Sequence, residues 1–313
     1  MAAAVKVLGF GDNVIDRFVD RRIEYPGGNC VNFAVFAREL GAEAAYLGVF
    51  GSDEAGSFLR SALTSIGLDI SRSVVREGET GIAMVEVIDG DRVFRGGNDG
   101  GVTVREPIIL DDSDLAYAAS FDLVHSSVYS TSETQLPALA ATGVLVAYDL
   151  SSEDEFRSPE YLAGVAPHLD LAMLSCSHLT KQQTAEVLRH VVGSGAGLAL
   201  GTRGAAGSML FDGSGFHTAA AAPLDDARPV ADTMGCGDAL LASVVCSLLE
   251  AGWRRGTQPS AEAIADALTA GAAFAAEQCF VDGAFGHGRP VPDAAQRLGQ
   301  VTSRPEIGAP QAR

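Results

Sequence analysis

The sequence is short of positive charge. Its 313 residues carry 22 Lys and Arg against 40 Asp and Glu, a formal net charge of −18. Such a chain repels a phosphate backbone, which argues against nucleic-acid binding. An anionic substrate would need a local basic patch or a metal against that field. Cysteine is scarce too. Five residues, an odd count without paired spacing, argue against a disulfide framework. No C-x-x-C pair or Cys/His cluster suggests zinc. No apolar run is long enough to cross a bilayer. The start, MAAAVKVLGFGDNVIDRF, has a short apolar run followed at once by acids, unlike a signal peptide. The expectation is a soluble cytoplasmic protein with no membrane partner. There is no internal repeat and no G-x-x-x-x-G-K-[ST] loop. Gly9 and Gly11 do not complete a G-x-G-x-x-G fingerprint.

What is present is enough apolar residue, 47%, for a sizeable core. Short apolar runs alternate with amphipathic stretches. Residues 4–10, 44–50, 121–127, 144–150, 169–175 and 197–202 read as buried strands. Residues 29–40 and 54–66 read as helices stopped at Gly41 and Gly67. That alternation predicts an α/β fold, a mostly parallel sheet with helices on both faces. Two segments break it, at about 14–26 and 80–100. The second contains GIAMVEVIDGDRVF (81–94), a hairpin turning at Asp89–Gly90. Together they are expected to form a small β lid over the sheet edge where ligands bind, rather than decorative edge strands. Residues 1–300 are expected to be one domain. The polar, proline-containing tail 301–313 is expected to be poorly ordered.

ADTMGCGDAL (231–240) carries the chemistry. After Gly237 the leucines and valines at 241, 244, 245, 248 and 249 fall at helical spacing, predicting one buried stripe, with Gly252 as its stop. Gly235, Cys236 and Gly237 therefore deliver a helix N-terminus with small residues at its mouth. Amides point out there and the dipole favours an anion, which suits a migrating phosphoryl group. Asp238 has two readings. It is a first-turn acid that complements the dipole, or a base facing a substrate hydroxyl.

DTMGCGDALLAS resembles the C-terminal signature of the PfkB, or ribokinase-like, sugar kinases, usually D-T-x-G-A-G-D, with Cys236 in place of alanine. The resemblance runs from about residue 5 to 290. It includes GFGDNVID (9–16), YPGGNCVNFAV (25–35), GVFGSDEAG (48–56) and TRGAAGS (202–208). It implies a ribokinase-like fold, a central sheet sandwiched by helices with a β lid. It also implies an ATP-dependent sugar kinase with Asp238 as base and the 235–237 turn as anion hole. Substrate hydroxyls would meet Asp12, Gly27, Gly28, Asn29 and Asn32. The other reading of the two asparagines is a helix cap, Asn29, and a surface polar residue, Asn32. The nucleotide side would use Thr202, Gly204, Gly207 and Thr233. Magnesium would accompany ATP, and Asp232 would help hold a monovalent cation, K+. A homodimer through the lid is a further expectation.

Several stretches are most similar to the fructoselysine 6-kinase branch of that family: GDNVID, PGGNCVNFAVFARELG, DRVFRGGNDGG (91–101), FDLVHSS and AAEQCFVDGAFGHG (275–288). That branch phosphorylates a ketosugar–amino-acid adduct. Lid residues Asp99 and Arg92 or Arg95 would then meet the adduct's charges, unless they are solvated edge residues. His125 either reaches the pocket or is a buried histidine satisfied by backbone. The sequence departs from the family at LSCSHLTKQQ (174–183), where many members carry an N-x-x-E motif that organises magnesium. Magnesium keeps several waters and uses few protein ligands, so activity can survive that loss. The runner-up acceptors are a free ketohexose, pentose or nucleoside. The alternative from another class is a catalytically silent ligand-binding relative.

Overall fold

The computed structural model describes residues 4–88 and 91–292. Along the chain come β1 (Lys6–Gly11), β2 (Val14–Phe18), β3 (Ile23–Gly27), α1 (Asn29–Glu39), β4 (Glu43–Gly51), α2 (Glu54–Ile66), β5 (Val74–Arg76), β6 (Ile82–Ile88) and β7 (Asp91–Gly97). Next are α3 (Gly101–Arg105), α4 (Asp112–Ala118), β8 (Leu123–Ser127), α5 (Leu136–Ala141), β9 (Leu145–Asp149), α6 (Pro159–Val165), β10 (Leu171–Ser175) and α7 (Lys181–Gly193). The chain closes with β11 (Leu198–Thr202), β12 (Ser208–Phe211), β13 (Phe216–Ala219), α8 (Cys236–Glu250), α9 (Ala261–Gln278) and β14 (Arg289–Pro290).

The central sheet has the order β13-β12-β11-β10-β9-β8-β1-β4-β5. Its strands are parallel from β11 to β5, and β12 and β13 turn back antiparallel at one edge. Alternate residues serve opposite faces, as the pleat requires. Val7, Leu123 and Leu145 join the core under α1, α2, α8 and α9. Leu8, Val124 and Val146 join the core under α3 to α7. Sequence reading had α8 burying one stripe. Instead Asp238 to Cys246 are all buried, because the helix lies between α1, α9 and the sheet. Gly252, with φ 90°, follows its C-cap as expected.

The two segments expected to form a lid lie in a second sheet, β14-β3-β2-β6-β7. β6 and β7 form the expected antiparallel hairpin, although its turn at Asp89–Gly90 lies outside the described residues. β14, from the far end of the chain, adds a strand that the sequence did not announce. Glu24 in β3 is wholly buried. It is paired with Arg17 at 2.8 Å and Arg289 at 2.8 Å. Arg289 also meets Glu54 at 3.0 Å and stacks over Phe58, which ties the second sheet to α2. The 301–313 tail lies outside the described residues. Among those described, no helix is long and apolar enough to cross a membrane.

Candidate active site

Parallel strands end on one edge, and the chemistry-bearing residues follow from that. Asp12 comes just after β1, while Ser127, Asp149 and Thr202 end β8, β9 and β11. Asp12 is buried and heavily bonded. Its Oδ1 accepts from Cys30 Sγ at 3.0 Å, Ser127 Oγ at 2.8 Å and Ser130 Oγ at 2.9 Å. Its Oδ2 accepts the Asn29 amide at 2.6 Å. Burial, and then the neighbouring Asp12 charge, push the Cys30 thiol well above its ordinary pKa, so it stays a donor. Behind this, Asn13 donates to Tyr46 Oη and to the Val49 carbonyl, both at 2.7 Å, fixing the turn that presents Asp12.

Gly28, not Asn29, is the N-cap of α1. The position has φ 110°, and a Cβ there would come within 2.7 Å of Asn13 Cα, so only glycine fits. Asn29 is thus the first helical residue, which corrects its reading as a cap. Its side chain instead donates to Asp149 Oδ2 at 2.7 Å. Asp149 was missed by sequence reading, although YD at the end of an apolar run repeats the pattern of Asp12 after β1. Burial raises its pKa from 3.8 to about 6, against the lowering effect of bonds from Ser151 and Asn29. Asn32 is no surface residue either. It is buried, and its Nδ2 donates to Asp238 Oδ2 at 2.8 Å. Its Oδ1 is buried without a hydrogen-bond partner. Gly27 leaves room for the Asp16 carboxylate on the same side, so a Cβ at 27 would collide with it.

Gly235 is the N-cap of α8 with φ 72°, and a Cβ there would lie 2.8 Å from Ala284 Cβ. Gly237 faces Met173, whose Cε would be 3.1 Å from an added Cβ. Smallness at these two positions therefore serves packing inside the protein as well as approach from outside. Cys236, Gly237 and Asp238 form the first turn, whose amides lack intrahelical acceptors. Asp232 is buried and shapes the entry to the turn, its Oδ1 accepting Thr233 N at 2.7 Å and Met234 N at 3.0 Å. Thr233 itself is exposed.

Thr202 is half-buried at the end of β11. The loop after it carries Gly204 at φ 54° and Gly207 at φ 85°, closed by Arg203 N to the Gly207 carbonyl at 2.8 Å. On the lid, Asp99 is exposed in the turn before α3. Arg95 pairs across the hairpin with Glu86 at 2.7 Å, the behaviour of an edge residue. The Arg92 side chain lies outside the described residues. His125 is fully buried against Phe33, ring centroids 4.6 Å apart. Burial lowers its pKa to about 4, so it is neutral and does not act as a titrating group near pH 7. At 174–183, where the resemblance leads an N-x-x-E to be expected, the chain instead carries a capping box, Thr180 with Gln183, that starts α7.

The structure thus assembles two linked sets, Asp12–Asn29–Asp149 and Asn32–Asp238, both hung on α1. A carboxylate at an amide-lined helix mouth, beside a wall of acids and amides, offers hydrogen-bond partners for hydroxyl groups and a group that can accept a proton. Residues 16–285 match the model of the pfkB family carbohydrate kinases. The chain belongs to the pfkB carbohydrate kinase family. It is 34% identical over 289 residues to the fructosamine kinase FrlD of Bacillus subtilis, covering 91% of this chain and 95% of that one. It is 34% identical over 262 residues to the fructoselysine 6-kinase of Escherichia coli, covering 83% and 94%. The fold is shared with a fructokinase with bound ATP from Xylella fastidiosa, at 18% identity and TM-score 0.71, covering 90% of this kinase and 95% of that chain. It is also shared with Arabidopsis thaliana ribokinase complexed with ribose and ATP, at 20% identity and TM-score 0.68, covering 90% and 92%. The kinase is ribokinase-like in architecture, a large mostly parallel sheet between helices with a smaller separate sheet.

Proposed function

We propose that the chain transfers the γ-phosphoryl group of ATP to the 6-hydroxyl of fructoselysine or a related glycated amino acid. The observation that carries the chemistry is Asp238, in the first turn of α8 and hydrogen-bonded to Asn32 of α1. The acceptor is argued from the two relatives at 34% identity and their names.

In this reading the sugar lies under the lid against Asp12, Gly27, Gly28, Asn29 and Asn32. ATP lies along the sheet edge by Thr202, Gly204, Gly207 and Thr233. Asp238 accepts the proton of the attacking hydroxyl. A carboxylate is a weak base toward an alcohol, but the transition state of phosphoryl transfer is loose and the proton can leave late. The amides of the 235–237 turn meet charge on the moving group. Magnesium, bound through the nucleotide, would offset phosphate charge. Such an ion keeps several waters and is held chiefly by nucleotide phosphates, so it needs no all-protein carboxylate cage. Among the described residues no three His, Cys, Asp or Glu gather as a metal site. Asp232 is the residue proposed for K+, and a rate unaffected by exchanging K+ for a bulky organic cation would remove that role. The adduct's charges are assigned to Asp99 and Arg92. Phe94 on β7 is 62% exposed, which supports pairing of two lids in a homodimer. Light scattering that reports a monomer would exclude it.

The deciding experiment measures ADP release over fructoselysine, other glycated amino acids, fructose, ribose and nucleosides. Fructoselysine should give the highest kcat/KM. A higher value with a free ketohexose, pentose or nucleoside would replace the acceptor, and no ADP with any of them would favour a silent ligand-binding relative. The capping box in place of N-x-x-E is the observation behind that last reading.

A further inference from the structure

The anion-hole turn carries a cysteine, and that cysteine has a partner. Cys236 Sγ lies 3.4 Å from Cys279 Sγ, across 43 positions of sequence. Cys236 is the first residue of α8, and Cys279 is the C-cap of α9. Both are partly exposed, whereas Cys30, Cys176 and Cys246 are buried. An oxidant in solution therefore meets this pair first.

We propose that Cys236 and Cys279 form an oxidative modification site that switches the kinase off by closing a disulfide across the phosphoryl-binding turn. The oxidant is a peroxide. One thiolate attacks a peroxide oxygen of hydrogen peroxide, which leaves a sulfenic acid and releases water once protonated. The second thiol displaces the sulfenic oxygen as a second water and forms the S–S bond. Two thiols and one peroxide thus give one disulfide and two waters, the two electrons going to the peroxide.

The geometry asks for little movement and puts it in a sensitive place. A disulfide needs its sulfurs at about 2.05 Å, so the pair must close by a little over 1 Å. The residue that moves is the first of the helix whose first-turn amides and Asp238 serve the transfer. The other end is also attached to the turn. The Cys279 carbonyl accepts Ala231 N at 2.9 Å and Asp232 N at 3.3 Å, so the α9 C-terminus already holds the segment leading into it. A bond from the same residue to Cys236 clamps both sides of the turn. Small relocation of positioning groups costs far more rate than stability.

The test treats wild type and Cys279→Ser with substoichiometric and then stoichiometric hydrogen peroxide. Three quantities are read: non-reduced peptide maps by mass spectrometry, nucleotide binding, and turnover, each before and after a thiol reductant. The expected result is one linked peptide joining residues 236 and 279, lighter by two hydrogen atoms. It should come with loss of turnover that reductant restores. Cys279→Ser, which keeps the turn's own residues, should show no linked peptide and no reductant-reversible loss of the same size. Peptide mapping of wild type needs no acceptor and no variant, so it stands even if the acceptor is wrong or Cys279→Ser folds poorly. No linked peptide at peroxide levels that inhibit, or a linked peptide with unchanged nucleotide binding and turnover, would overturn the switch.

Discussion

Asn32 Nδ2 lies 2.8 Å from Asp238 Oδ2, a bond between the first helix and the eighth that spans 206 positions of sequence. It joins the helix proposed to hold the sugar to the residue proposed as base, so the position of each depends on the other. Asp238→Asn is expected to lower kcat by about 10²–10⁴ while leaving nucleotide binding intact. Asn32→Asp sets a second acid against the first and should move the acidic limb of the kcat/KM profile upward by about one unit or more. Stopped-time ADP assays across pH 5 to 9 read both effects. Near-wild-type turnover in Asp238→Asn would remove it as the base.

Much of this was visible in the chain, and what was hidden has a common cause. The turn at 235–237 and the hairpin at 81–94 follow from local patterns of two to fifteen residues, while Asp12 and Thr202 are singled out by the family resemblance. The partners of those residues follow from neither. Asn32 is expected to meet substrate hydroxyls or to be a surface polar residue, and its bond to Asp238 emerges only when α8 is laid beside α1. Asp149 is one acid among 40 Asp and Glu until parallel pairing puts β9 next to β8 and brings Asn29 to it. The full burial of α8 was hidden for the same reason, because nothing local announces that α9 covers its outer face. The Asn29 cap failed for a different reason, since Gly28 takes a backbone conformation closed to other residues.

Asp149 gives a pH signature of stability. Its pKa is raised from 3.8 in the unfolded chain to about 6 in the fold. The folded state therefore favours the protonated acid. Its contribution is full below about pH 3.8 and is lost as pH rises through about 6. The loss amounts to on the order of 3 kcal/mol. Asp149→Asn cannot ionise, so its stability relative to wild type should improve between pH 4 and pH 7. Urea unfolding of both proteins at four pH values measures the difference. Parallel curves would mean that the carboxyl titrates normally.

His125 has the opposite slope in an overlapping window. Its pKa falls from 6.5 to about 4 because burial disfavours the cation. A depressed pKa means stability is complete above about pH 6.5 and is lost as pH falls through about 4. His125→Gln removes that titration. The variant should be less stable than wild type at pH 7.5, from poorer packing on Phe33, but should recover about 2–3 kcal/mol of the deficit by pH 4. Turnover at pH 7.5 should change little if the ring has no catalytic part. A large fall in kcat with substrate binding unchanged would give His125 a role in the reaction after all.

Glu24 tests whether the lid is anchored as one piece. It is wholly buried and shared between Arg17 and Arg289, whose side chains are 15% and 24% exposed. Breaking a buried pair by removing one partner typically costs about 3–5 kcal/mol. Here the two arginines retain some water, so Glu24→Ala should fall near 3 kcal/mol. Arg17→Met leaves Glu24 with Arg289 and should cost less. The lid and α2 are joined through Arg289, at Glu54 and Phe58. Glu24→Ala should therefore also loosen β14 and speed proteolysis within the lid before the central sheet unfolds. If global unfolding and lid cleavage shift together, the second sheet is part of the same cooperative unit as the first. A KM for the acceptor that rises while the KM for ATP holds would then locate the damage on the sugar side, where the lid is expected to close.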